Sequence, residues 1–198
     1  AGARRSPASP LPYTGGMAKR VSPDTPPTIP SLWDFACETY ARPGIREICL
    51  DWQTRYDADI PLVLALCWQA ARGGPVPDIR GLDDLRRALA PWRQGTVLPL
   101  RALRDRLKPM SPAHSRAARL RRAILSAELA AERVQLEYMA RLLPDAARQT
   151  QGAAQATTLA HQALDTYLTL LGVSPEDRHL GIGAWGKAMG GTPSPPGS

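Results

Sequence analysis

Between Ser31 and Gly73 the apolar positions recur at helical spacing in three successive segments. Leu32, Phe35, Ala36, Thr39 and Tyr40 share one face of a helix running from Leu32 to about Ala41. Ser31-Leu32-Trp33-Asp34 has the S-x-x-D form of a capping box, in which the hydroxyl accepts a first-turn N–H and Asp34 answers it. Arg42-Pro43-Gly44 ends this helix, because the residue before proline is pushed out of the helical region. Ile45, Ile48, Cys49, Trp52 and Tyr56 then form a second amphipathic stripe. On its opposite side Glu47 and Asp51 can pair with Arg55 and Arg46 across turns. Asp57-Ala58-Asp59 is a turn that places Asp59 to cap a third helix, with Pro61 tolerated in the first turn. From Ile60 to Ala71 that helix is apolar almost all round, so it is the central element that others surround, and Gly73-Gly74-Pro75 stops it.

Further on, Leu82, Leu85, Ala88 and Leu89 mark a short helix. Pro91 starts another, with Trp92, Val97, Leu100, Leu103 and Leu107 apolar and a kink expected at Pro99. Residues 109–113 are a break with His114 at its edge, and the longest helix follows over 115–143, ended by Pro144. Leu120, Ile124, Ala127, Ala131, Val134 and Tyr138 give that helix a heptad-like seam. A second row at Leu125, Leu129, Leu136, Met139 and Leu143 implies that it packs on two neighbours. A last helix over about 151–171 carries Leu164, Tyr167, Leu168 and Leu171 at i, i+3, i+4 and i+7 and is expected to dock antiparallel. No segment alternates with period two long enough to be a strand. The pattern therefore predicts an all-α fold, a single compact bundle of six or seven helices over residues 31–171.

Residues 1–30 and 172–198 are rich in Pro, Gly and Ser, with Trp185 isolated among glycines, and both are expected to be disordered tails. Met17 followed by Ala18-Lys19-Arg20 reads as a translation start, which would leave the first sixteen residues untranslated.

Composition adjusts this picture only slightly. The 198-residue chain is 43% hydrophobic, enough for one sizeable core, and carries a formal net charge of +7. Arg supplies nearly all of it, Lys standing only at 19, 108 and 187; an Arg bias with abundant Ala, Pro and Gly is also what a GC-rich genome writes without selection for binding. Cys37, Cys49 and Cys67 lack the spacing of a disulfide framework or zinc site and read as free, mostly buried thiols in a reducing cytosol. The longest apolar segment, Ile60 to Ala71, is too short to cross a bilayer, which takes about 20 residues. No apolar run near the N-terminus reads as a secretory signal, so the chain is expected to be soluble and cytoplasmic.

Leu32-Trp33-x-Phe35, Tyr40-x-x-Pro43-Gly44-Ile45, Cys49-Leu50-x-x-Gln53, Asp59-Ile60-x-Leu62 and Trp68 follow one another in order, with Pro91-Trp92-Arg93 and Pro99-Leu100-Arg101 beyond. Over residues 31–108 this resembles a family of small proteobacterial proteins, a domain of unknown function whose members begin with a Leu-Trp-x-Phe helix. The family's pattern has Asp-Val-Asn where this chain has Asp59-Ile60-Pro61, which removes an amide from the start of the third helix. The resemblance implies a cytosolic helical fold and supplies no activity.

No catalytic, cofactor or metal set is legible in the sequence. His114, His161 and His179 lie in a break, a late helix and a tail, none obviously beside a cysteine that it could activate. Glu128, Glu132 and Glu137 have no His at metal-ligand spacing and are expected to pair with Arg122, Arg133 and Arg141. Asp83-Asp84-Leu85-Arg86-Arg87 lacks the third acid of a magnesium-binding motif and reads as helix N-terminal acids. Two sets of candidates remain. Tyr40, Pro43, Gln53 and Asp59 are a candidate surface for an unknown protein partner. Arg101, Arg104, Arg116, Arg119 and Arg122, with Arg106, Lys108 and Arg121, are opposed between 101 and 122 only by Asp105 and are candidate phosphate contacts. No aromatic residue is interleaved there, which favours a solvated face over nucleic acid. The expectation is thus a helical protein that acts by binding another protein, through the 115–143 helix or the region of Trp33, Trp52 and Trp68. The alternatives are nucleic-acid binding at the arginines, and an enzyme or carrier holding an apolar small molecule against those three Trp.

Overall fold

Helix α3, Ile60–Ala71, sits at the centre of the molecule in the computed structural model, which describes residues 30–145 and 152–190. Every residue from Ile60 to Ala70 is buried, as an element apolar on all sides requires. Around it stand α1 (Leu32–Tyr40), α6 (Arg116–Leu142) and α7 (Ala153–Leu170), the contact with α7 being the most extensive. The remaining helices are α2 (Ile45–Tyr56), α4 (Ile79–Trp92), α5 (Leu98–Leu107) and α8 (Pro175–Gly190). A π-helical turn, Arg93–Val97, joins α4 to α5 without a break, so the described residues form seven helical rods and no strand. The fold is all-α, as the periodicity predicts. The expectations for residues 1–29 and 191–198 lie outside the described residues.

The first three helices follow their sequence signals closely. Ser31 Oγ accepts from the Asp34 N–H at 3.2 Å, as the cap requires, and Asp34 answers at the hydroxyl, Oδ2 accepting from Ser31 Oγ at 2.7 Å. Gly44, at φ 85°, makes the turn into α2, whose buried residues are Ile45, Cys49 and Trp52. Ser115 Oγ accepts from Ala118 N–H at 3.0 Å and starts α6 at the expected place. Cys49 and Cys67 are buried free thiols.

Three expectations require correction. Pro91 does not begin a new helix: it lies within α4, and the chain bends at the π turn, where the Leu98 N–H reaches the Arg93 carbonyl. The ring of a proline clashes with the preceding turn and removes a hydrogen bond, and a wider turn between Pro91 and Pro99 absorbs the mismatch. Trp92 pins the bend by donating to the Ala131 carbonyl of α6 at 2.9 Å.

The seam of α6 also differs. Its buried line is Ile124, Glu128, Ala131, Gln135, Leu136 and Met139, whereas Leu120 and Tyr138 stand half exposed. Two polar residues thus occupy the inward face, because partners on other helices meet them there.

The third correction is α8, which lies in the stretch 172–198 expected to be disordered. Ser174 Oγ accepts from the Asp177 N–H at 3.2 Å and donates to Asp177 Oδ2 at 3.0 Å, with Pro175 as first helical residue. That is the Ser31 device repeated. Trp185 is 1% exposed and stacks on Trp52, ring centroids 5.8 Å apart at 12°. The glycines that suggest disorder permit this contact. A Cβ on Gly181 would lie 2.7 Å from Trp52 Nε1, and one on Gly186 would lie 2.8 Å from His161 Nε2.

Candidate functional site

Between α5 and α6 the structure buries charge. Arg101 and Arg104 lie one turn apart on α5, and Glu128 and Glu132 one turn apart on α6. Arg101 Nε donates to Glu128 Oε1 at 2.9 Å and its Nη2 to Glu132 Oε1 at 2.6 Å. Arg104, fully buried, sets Nε 2.9 Å from Glu128 Oε2 and Nη2 3.3 Å from Asp105 Oδ1. Burial penalises each ion by several kcal/mol, so such groups persist only as a mutually compensated set. Burial pushes the Glu132 carboxyl up to about 7, against the pull of Arg101 and reinforced by Glu128.

The polar line continues along α6 to the start of α3. Gln135, fully buried, donates to Asp59 Oδ2 at 2.7 Å. Arg93 of the π turn places Nε 3.4 Å from the same oxygen and Nη2 3.2 Å from Asp57 Oδ1. Asp59 holds the N-cap position of α3 as expected, yet its carboxylate serves α6 and the π turn. Burial raises its pKa, with Arg93 and Gln135 opposing. The neighbouring Asp57 adopts the left-handed conformation, φ 52°.

Two hollows adjoin this line. Tyr40 and Gln53 border a cavity of about 50 Å³ with Trp33, Arg101, Glu128 and Glu132. Asp59 lines a separate polar cleft of about 220 Å³, with Asp57, Arg93 and Tyr167. Pro43 is exposed in the turn before α2 and lines neither. The candidate partner surface is therefore not one surface: Tyr40, Gln53 and Asp59 face inward.

The arginine run divides as well. Arg101 and Arg104 are committed to the buried set, while Arg106, Lys108, Arg116, Arg119 and Arg122 are exposed. No residue between Arg104 and Ile124 is buried, so the α5–α6 hairpin end stands clear of the core. Sequence spacing missed the true partners of Glu128 and Glu132, because they lie 24 to 31 positions away on α5 and not one turn along α6. Only Glu137 takes an expected partner, Arg133 at 3.3 Å.

The tryptophans are dispersed. Trp52 stacks on Trp185, Trp68 donates to the Pro30 carbonyl at 2.9 Å, and Trp33 lies beneath the Arg133 guanidinium at 5.2 Å. Cys67 and His161 do line a common groove of about 370 Å³. Burial raises the Cys67 thiol, the opposite of the activation a nucleophilic thiolate needs. Asp83 and Asp84 pair with Arg87, and no His, Cys, Asp and Glu cluster fit for a metal exists among the described residues. No helix among the described residues is long and apolar enough to cross a membrane.

Fold and site together define an all-α protein whose hairpin is fastened to its core by buried ion pairs. The sequence profile of the family described as protein of unknown function, DUF2390, matches residues 31–139, over half of the chain, and the protein belongs to that family. No curated protein and no solved structure matches it.

Proposed function

We propose that this protein works by binding, and that the end of the α5–α6 hairpin docks an acidic, apolar-bearing segment of a partner protein. The observation that carries the reading is the composition of residues 105–123. Five exposed cations, Arg106, Lys108, Arg116, Arg119 and Arg122, face solvent there and pair with no carboxylate among the described residues. The one acid, Asp105, already faces Arg104. Met110 and Leu120 are 60% and 54% exposed on the same stretch, so the patch offers apolar contact beside its charge. The buried Arg–Glu set ties α5 to α6 at the base of this hairpin, and a preordered surface loses less entropy on docking.

Nucleic acid is the alternative the same cations favour, but the stretch has no Phe, Tyr or Trp on which a base could stack. The test uses the tagged chain in lysate of the source cells with and without nuclease, alongside Arg119→Glu/Arg122→Glu and Met110→Ser/Leu120→Ser variants. A stoichiometric partner retained by the native chain and lost by both variants is expected. Retention by both variants places the contact elsewhere. A complex abolished by nuclease and indifferent to Met110 and Leu120 replaces the protein reading with nucleic acid.

A further inference from the structure

The polar cleft beside Asp59 has the size and charge arrangement of a ligand site. At about 220 Å³ it lies below the roughly 300–1,000 Å³ of drug-sized pockets, which suits a molecule of few heavy atoms. Its walls come from four separate places: the α2–α3 turn, α4, the π turn and α7. Two irregular backbone features shape it, the left-handed Asp57 and the π turn that carries Arg93 and Gln94. Such features recur at functional sites because they are otherwise costly to keep.

The charges of the cleft follow a definite plan. Arg93 is shared by Asp57 and Asp59, and Arg87 by Asp83 and Asp84. Arg86 is exposed at the cleft and has no carboxylate partner among the described residues. The Tyr167 hydroxyl, in a residue 1% exposed, accepts the Asp59 N–H at 2.9 Å and keeps its own proton to donate. The lining thus offers unfilled donors, Arg86 and the phenol. The rim offers the Asp57 carboxylate, 78% exposed, with acceptor capacity to spare. Among the residues that line the cleft, with Asp84 standing outside it, Arg86, Arg87 and Arg93 balance Asp57, Asp59 and Asp83, so a ligand of net charge would leave an uncompensated ion in a half-enclosed space. A dipolar ligand leaves none.

We propose that this cleft binds a small zwitterion, its anionic group held by Arg86 and the Tyr167 hydroxyl and its cationic group by Asp57. Free amino acids have this chemistry. The site is distinct from the hairpin end and stands or falls separately from the docking reading.

The test is calorimetric titration of the full chain with a panel of the common L-amino acids, each best binder then compared with its amide and its N-acetyl form. Acetate, inorganic phosphate and methylamine serve as single-charge probes. At least one amino acid is expected to bind below about 10 mM, with either single-charge derivative roughly tenfold weaker or worse. Arg86→Ala and Asp57→Asn are each expected to weaken binding about tenfold with an unchanged circular dichroism spectrum. Both sites are exposed, and Asn suits the left-handed conformation at 57, so these variants fold. Failure of every amino acid to bind overturns the proposal. So does equal binding of acetate or phosphate, or affinity unchanged in Arg86→Ala.

Discussion

Replacing Glu128 by Ala tests whether the buried ion set holds the hairpin to the core. The substitution removes the acceptor of Arg101 Nε at 2.9 Å and the carboxylate oxygen that lies 2.9 Å from Arg104 Nε. Arg101 keeps Glu132, but fully buried Arg104 keeps only Asp105, at 3.3 Å and with a carboxylate 37% exposed. An ion stranded in the interior by loss of its partner costs about 3–5 kcal/mol, against about 5–15 kcal/mol for the whole stability of a domain. Urea unfolding followed by helical dichroism at 25 °C is expected to show a loss of that size. Adding Arg104→Met to Glu128→Ala removes the stranded charge while filling a similar volume, and so recovers much of the loss. The two substitutions are therefore strongly coupled in a double-mutant cycle. A cost under about 1 kcal/mol for Glu128→Ala, with no recovery in the double variant, is the behaviour of a surface pair and would refute the reasoning.

Two further outcomes test other parts of the fold. Gly181→Ala sets a Cβ 2.7 Å from Trp52 Nε1, in a ring held by Trp185, and is expected to destabilise by about 1–3 kcal/mol. Gly183→Ala on the same helix meets nothing within 4 Å and is expected to stabilise by about 0.5–1 kcal/mol; matching signs for the two would show that α8 is not packed as described. Glu132 has a folded pKa near 7 against an ordinary 4.5, because burial disfavours its charge despite Arg101. The folded chain then holds a proton that the unfolded chain has lost, so stability is fully present below about pH 4.5 and falls as pH rises to about 7, by on the order of 3 kcal/mol. Denaturation midpoints between pH 4.5 and 7.5 are expected to slope downward in the native chain and to flatten in Glu132→Gln; equal slopes would count against the assignment. Asp59, also raised by burial, leaves a residual slope of the same sign.

Much of this molecule is legible along the chain because helix periodicity and capping are local. Ser31-x-x-Asp34, Gly44 and Ser115 each fix a helix boundary from within four residues, and an element apolar on all sides like Ile60–Ala71 has nowhere to go but the centre. Local signals mislead where two of them compete. Ser174-Pro175-Glu176-Asp177 carries the same cap as Ser31, but Gly181, Gly183, Gly186 and Gly190 outweigh it in any compositional reading. A glycine that marks flexibility in isolation marks close approach once Trp52 or His161 lies against it.

By itself the sequence determined the helical class, most helix boundaries and the central place of α3, since each depends on residues a turn or two apart. The tertiary structure alone decided where the charges go. Electrostatic partnership is set by distance in space, so Arg101 and Arg104 find Glu128 and Glu132, and Arg93 and Gln135 find Asp59, only when α5, α6 and the π turn converge. That convergence withdraws two of the arginines from solvent, leaves five other cations exposed on the hairpin end, and opens the polar cleft beside Asp59.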